Sequence, residues 1–156
     1  MVPRRQRQEN DVLSLAIGQH ELMVTPLQVA VMMSAIANGG WRVTPHLRRD
    51  APAAHRPTGL SPRTVEAIRA GLRAVVDSPH GTAYSSGLRE FDAAGKTSTA
   101  QAGGNRNHAW FAGYAPHDKP RHAIVVFVEG GGHGGDVAAP LAAKILAAIR
   151  KGGDGK

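Results

Sequence analysis

Cysteine is absent from this chain of 156 residues, so neither a disulfide framework nor a thiolate metal site can form, and cysteine usage gives no reading of the redox compartment. Long apolar runs are missing too. Nothing approaches the ~20 consecutive apolar residues of a membrane-spanning helix. The basic start, MVPRRQRQEN, leads into neither the apolar stretch nor the small-residue cleavage site of a signal peptide. As written, nothing exports or anchors the chain, and a cytoplasmic location is expected. There is no GxSxG, so a strained nucleophile elbow of the hydrolase kind is not indicated. There is no HExxH either. His108, His117, His122 and His133 gather in the last third with Asp118 and Asp136, but without ligand spacing they are expected as surface or turn residues, and no metal is expected. No internal repeat is present.

Aromatic residues are scarce as well, at 4%, and that scarcity bears on the charge. The net charge of +7 and a pI near 10.6 raise the question of nucleic acid. Much of the excess sits near the ends: Arg4, Arg5 and Arg7 face Glu9, while Arg150, Lys151 and Lys156 face Asp154. Residues 1–10 and 151–156 are expected to be disordered tails. A second cluster, from Arg42 to Arg73, holds seven arginines against Asp50 and Glu66, with no aromatic residue interleaved for base stacking and no helix-turn-helix or zinc spacing. A solvated basic face is expected, without a specific nucleic acid partner. The 42% hydrophobic content suffices for one domain with a core, or a piece of one.

The richest chemistry lies in GKTSTAQ, Gly95 to Gln101. Gly95-Lys96-Thr97 resembles the end of a phosphate loop, GxxxxGK[ST], but the position five residues before Gly95 is Glu90, whose carboxylate would repel phosphate. A phosphate loop also opens a helix, whereas Thr97, Ser98 and Thr99 favour a strand. Both grounds argue against nucleotide binding. An ammonium and hydroxyls on one extended edge suit an anionic substrate, yet no nucleophile with its own base accompanies them. Half an active site is the better description.

The flanking pattern predicts an α+β fold. Thr25-Pro26-Leu27-Gln28 reads as a capped helix start, running to about Asn38 with Leu27, Ala30, Val31, Ser34 and Ala37 on one face. Ser61-Pro62 starts a second helix that ends at Ser78-Pro79, with Val65, Ile68, Leu72, Val75 and Val76 buried and Arg63, Arg69 and Arg73 wet. The proline-rich stretch from Thr44 to Pro57 between them reads as an extended segment and loop. Three antiparallel strands are predicted at about 93–101, 109–115 and 122–129. Gly103-Gly104-Asn105 turns the chain after the first, and Pro116 to Pro120 joins the other two. The apolar run Ala123 to Val128 is expected to be central and covered on both faces. A last helix, Pro140 to Arg150, presents Leu141, Ile145, Leu146 and Ile149 as its stripe, and the glycines from Gly130 to Gly135 read as a flexible loop before it.

The order of these features resembles the transpeptidase domain of class B penicillin-binding proteins, particularly the elongation type tied to cell shape. Ser14 to Gly40 is similar to the family's GQG-to-TPLQ region, with His20 in place of the last glycine. Pro45-His46-Leu47 is similar to its PHL strand, Gly81-Thr82-Ala83 to its GTA segment, and GKTSTAQ to its KTG strand. His108 to Pro116 is similar to the next strand, and Gly134 to Leu146 to the closing helix. The resemblance implies a partial penicillin-binding transpeptidase fold, like that of serine β-lactamases, over residues 11–150. It implies enzymes that cross-link peptidoglycan stem peptides and bind β-lactams without a cofactor. Lys96 would belong to the KTG triplet, Thr97 would help bind the carboxylate of a D-Ala-D-Ala peptide or β-lactam, and the Thr99 backbone amide would donate to the oxyanion. Relatives of this type are anchored in the inner membrane, with the domain in the periplasm or outside the cell.

Two departures qualify that picture. Ser98 stands where the triplet has glycine, and its hydroxymethyl is expected to crowd a bound substrate or a facing helix. The family's nucleophilic SxxK and its SxN are absent: Ser14, Ser34, Ser61, Ser78, Ser85, Ser86 and Ser98 all lack lysine three residues on and asparagine two residues on. The first ten residues also fall outside the resemblance. A substrate-binding strand of Lys96, Thr97, Ser98 and Thr99 without its nucleophile is therefore expected to be inactive alone, and a sheet face left uncovered would favour self-association. Two alternatives predict other behaviour. A noncatalytic interaction module on the same fold would have no β-lactam affinity. A small basic nucleic-acid binder would show steeply salt-dependent binding that is lost with the tails.

Overall fold

The first two helices begin where the sequence places a hydroxyl ahead of a proline. The computed structural model describes residues 23–48, 50–102 and 106–153. Helix α1 spans Pro26–Ala37. Its start is a full capping box: Gln28 N donates to Thr25 Oγ1 at 3.2 Å and Thr25 N donates to Gln28 Oε1 at 2.8 Å. Helix α2 spans Pro62–Asp77, and Ser61 Oγ accepts from Thr64 N at 3.1 Å. Between them a short antiparallel pair, β1 (Trp41–Val43) and β2 (His55–Pro57), replaces the expected strand at Pro45-His46-Leu47. Those three residues are irregular and exposed: Pro45 has no N–H to donate, and the ladder that pairs Trp41–Val43 with His55–Pro57 stops ahead of it.

The main sheet holds β3 (Ala94–Ala102), β4 (Arg106–Ala115) and β5 (His122–Val128), antiparallel, in the order β3-β4-β5. The strand expectations are met to within a few residues. Among the described residues, however, β4 is the central strand, not β5. One face carries Ala109, Phe111, Ile124 and Val126 and packs against helix α3 (Ala139–Gly153) and the π-helical turn before it, Gly134–Ala138. On the opposite face α1 lies against β4 and β5 and α2 against β3, with Ala94 and Tyr114 packed on Ile36, Ala37 and Leu72. Further along it Phe127 remains 40% exposed, with its ring 4.6 Å from that of Trp110. The apolar run of β5 thus faces a core on one side and a partly open surface on the other.

Helix α3 keeps Leu146 of the predicted stripe and overturns the rest. Its buried side is Ala138, Ala139, Ala142, Ala143 and Leu146, while Leu141, Ile145 and Ile149 lie outward. Alanines win because a helix lying over Phe111 and Val126 needs small side chains to approach the sheet closely. The helix also takes in residues 151–153, which the sequence had assigned to the tail; residues 1–10, 103–105 and 154–156 lie outside the described residues. In α1 the buried positions are Met33, Ala35, Ile36 and Ala37, with Leu27 exposed, and in α2 Ile68 is exposed. Arg69 and Arg73 are not on a wet side. Arg69 donates to Ala37 O at 2.5 Å and His117 O at 2.6 Å, its guanidinium 5.4 Å from the Tyr114 ring centre. Arg73 binds Asp77 and Asp92. Arg69 ties both helices to the turn after β4, and Arg73 ties α2 to the turn before β3. No described helix is long and apolar enough to cross a membrane.

Candidate active site

Strand β3 is an edge strand, and along its free edge lies a cleft of about 500 Å³ lined by Thr82, Lys96, Thr97, Ser98, Thr99 and the loop His133 to Asp136. All four residues singled out in the sequence line this one cleft. Strand alternation divides them: Lys96 and Ser98 are exposed on the face shared with Ala112 and Trp110, while Thr97 is buried on the face shared with Phe111. The Lys96 ammonium donates to Thr97 O at 2.5 Å, which holds it along the edge of its own strand. Thr97 Oγ1 lies 2.5 Å from Thr82 Oγ1.

The glycine of the former phosphate-loop signal has a packing explanation. A Cβ on Gly95 would stand 2.5 Å from the Phe111 ring and 2.7 Å from Ala112 O, and one on its cross-strand partner Gly113 would stand 2.4 Å from Ala94 O. The Gly95–Gly113 pair makes room for the buried Phe111 ring. It does not cradle phosphate.

The opposite wall is less flexible than its glycines suggested. Gly134 is buried, and a Cβ there would lie 2.3 Å from Trp110 O and 2.4 Å from Ser98 O; one on Gly135 would lie 2.4 Å from Thr82 O. These glycines let the loop rest directly on β3, β4 and the Thr82 turn. The loop thereby carries His133 into the cleft, where Nδ1 is 3.4 Å from Thr99 Oγ1, and brings Asp136 to its rim. His133 was expected as a surface histidine, and Thr82 had no role beyond its place in a tripeptide. The signal for both was the pair of loop glycines. Of the other histidines, His108 Nδ1 accepts from Gly130 N at 3.0 Å and His117 stacks on Tyr114, so they do not gather, and no group of potential metal ligands forms among the described residues.

The cleft therefore offers an ammonium, hydroxyls and strand backbone on one wall, and an imidazole and a carboxylate on the other. Such a set can hold an anionic group by charge-assisted hydrogen bonds. A hydroxyl also stands beside a base there, Thr99 Oγ1 at 3.4 Å from His133 Nδ1, at the long end of hydrogen-bond distance.

Comparison with known proteins agrees with this geometry. The penicillin binding protein transpeptidase domain matches residues 2–147, which takes in most of the ten residues set apart in the sequence. Peptidoglycan D,D-transpeptidase MrdA of Haemophilus influenzae is 33% identical over 165 residues, covering 88% of this chain and 25% of the relative. Peptidoglycan D,D-transpeptidase PbpA of Mycolicibacterium smegmatis is 33% identical over 156 residues, covering 88% and 32%. Among solved structures, penicillin-binding protein PBP2 of Helicobacter pylori, in complex with MreC, superposes with a TM-score of 0.86 at 31% identity over 94% of this chain and 28% of its own. Pseudomonas aeruginosa PBP2 in complex with WCK 5153 gives 0.75 at 33% identity, over 94% and 34%. This chain thus spans about a quarter to a third of these proteins. With the match running through the β3 edge, its cleft and the closing helix, the chain belongs to the penicillin-binding protein transpeptidase domain family.

Proposed function

We propose that this chain forms the substrate-gripping part of a peptidoglycan D,D-transpeptidase site and that the attacking serine and its base come from polypeptide outside this sequence. The edge of β3 receives the C-terminal carboxylate of a D-Ala-D-Ala stem peptide, or that of a β-lactam, with Lys96 and Thr97 as its cationic and hydroxyl partners. The Thr99 amide stabilises the oxyanion, since a donor fixed in a strand needs no reorganisation when charge develops. By itself the chain does not acylate.

The observation that supports this reading is the cleft that brings Lys96, Thr97, Ser98 and Thr99 together, in a sequence where no serine begins an SxxK. The partly open sheet face around Trp110 and Phe127 is where the missing part would pack, and without it copies of this chain would associate there. In a complete enzyme the domain would lie outside the cytoplasmic membrane. The test is a fluorescent penicillin. No covalent label is expected on the chain alone, and label is expected on a supplied fragment carrying SxxK and SxN once the two are mixed. Labelling of this chain alone would refute the proposal, as would a fragment that labels no better in its presence.

A further inference from the structure

A second hollow shares no lining residue with the β3 cleft. It is a groove of about 480 Å³ between α1 and the β1-β2 pair, walled by Leu27, Val31, Met32, Ala35 and Leu60 together with Arg42. Leu27 is 58% exposed, Met32 53% and Leu60 43%, so these apolar side chains stand open to whatever enters.

The groove is built in advance by hydrogen bonds. Asn38, at the end of α1, clamps β1: its Nδ2 donates to Trp41 O at 2.7 Å and its Oδ1 accepts from Trp41 N at 2.9 Å. Gly40 O accepts from both Thr58 N and Thr58 Oγ1 at 2.8 Å, which fastens the end of β2 to the start of β1. Apart from Arg42, the polar side chains of the groove are Thr58, engaged in this way, and Gln28, whose Oε1 accepts from Thr25 N at 2.8 Å. An apolar trough with one charged side chain is left, the composition of a site for a small molecule with an apolar body.

Arg42 has a companion. It stands in register with Arg56 across the β1-β2 ladder, and residues directly opposite one another in an antiparallel pair share a side of the sheet, where like charges repel. The acidic residue between the two strands, Asp50, is engaged by Arg48 at 2.7 Å. Among the described residues neither Arg42 nor Arg56 meets a carboxylate. The hairpin thus carries a repulsion that an anion between the two guanidinium groups would remove.

We infer that this groove binds single molecules of a phosphate-headed amphiphile, with the head between Arg42 and Arg56 and an alkyl body along Leu27, Met32 and Leu60. The three oxygens of a phosphate can accept from two guanidinium forks at once, whereas one fork already satisfies a carboxylate. A neutral amphiphile leaves the two arginines repelling each other, and free phosphate leaves the apolar walls in water. The inference does not depend on what the β3 cleft binds.

The test titrates the full chain with n-octyl phosphate, n-octyl glucoside and inorganic phosphate, each below micelle formation, and follows the methyl signals of Leu27, Met32 and Leu60 by NMR. Octyl phosphate is expected to bind at least about tenfold more tightly than either other probe, the worth of one charge-assisted hydrogen bond. Arg42→Gln and Arg56→Gln should each remove most of that preference. Leu27→Glu should weaken octyl phosphate by about tenfold or more, and a carboxylate in the first turn of a helix leaves α1 intact. Thermal melting confirms that each variant is folded. Equal affinity for octyl glucoside would reduce the groove to an unselective apolar surface, and equal affinity for inorganic phosphate would reduce it to a basic rim; either overturns the inference. So does a preference that survives both arginine variants. Binding to anionic phosphatidylglycerol vesicles without binding to octyl phosphate would assign the face to a membrane surface instead. Groove methyls that respond only to dilution would give it to a second copy of this chain, and nuclear Overhauser contacts from them to residues 1–22 would give it to the chain's own start. Each of these three results also overturns the inference.

Discussion

Replacing Gly134 by alanine adds one methyl group where two backbone oxygens leave no room. The new Cβ would stand 2.3 Å from Trp110 O and 2.4 Å from Ser98 O. An unstrained carbon–oxygen contact lies about 1 Å farther out, and neither oxygen can rotate away, because both belong to paired strands of the central sheet. The loop must therefore lift off β3, at a cost of about 1–3 kcal/mol typical of overpacking. For a chain of this size that is a fall in Tm of about 3–10 °C. The lifted segment is the wall that carries His133 and Asp136, so binding of a carboxylate probe should weaken in the same variant. Thermal melting by circular dichroism reads the first effect and NMR titration the second. A variant that melts within about 1 °C of the native chain would refute the claim that this glycine is required by close approach.

Gly71→Ala is the matching control: it sits inside α2 with nothing within 4 Å of the added methyl, so alanine should stabilise the chain by about 0.5–1 kcal/mol in urea unfolding. Arg69→Ala removes two charged hydrogen bonds to Ala37 O and His117 O and should cost about 2–4 kcal/mol in the same assay. A loss below about 0.5 kcal/mol would show that arginine to be an ordinary surface residue. Burial pushes the Asp92 carboxyl up, but the Asp118 amide, the Arg73 guanidinium and the His117 amide together hold it below its ordinary value. A carboxyl lowered in the folded state contributes stability above its unfolded value, about 3.9, and that stability is lost as pH falls through the folded value. The native chain should therefore lose stability below about pH 4 more steeply than Asp92→Asn, and equal acid slopes would contradict the assignment.

Capping residues and strand periodicity were legible because they act locally. Thr25 and Ser61 cap the helices they precede, β4 and β5 follow their apolar runs, and β3 follows its strand-favouring threonines. What the sequence concealed depends on partners far along the chain. Leu141, Ile145 and Ile149 make a plausible apolar stripe, but the neighbour is a sheet face bearing Phe111, and only the alanine side of α3 fits against it. Arg69 and Arg73 look solvated until His117 and Asp92 arrive from other elements. The site divides in the same way. Lys96 to Thr99 are contiguous and could be read directly, whereas Thr82 and His133 reach the cleft only because Gly134 and Gly135 allow a loop to touch backbone, and a run of glycines looks the same whether it is loose or tightly packed.

Ser98 separates the two demands placed on this strand. It stands third in the triplet, on the exposed face beside Lys96, and among the described residues it makes no hydrogen bond through its hydroxyl. For the chain alone serine is the better residue, since glycine in a strand interior costs about 0.5–1 kcal/mol. For a ligand or a packed helix approaching that face, the hydroxymethyl is an obstacle. Ser98→Gly should therefore melt slightly lower than the native chain yet bind N-acetyl-D-alanyl-D-alanine more tightly, by about threefold or more if one unfavourable contact of the overpacking kind is relieved. Opposite signs in the two assays are what a strand serving a ligand predicts. If stability falls and binding does not improve, the third position does not face the ligand, and the substrate must be placed on the Thr97 side of the edge.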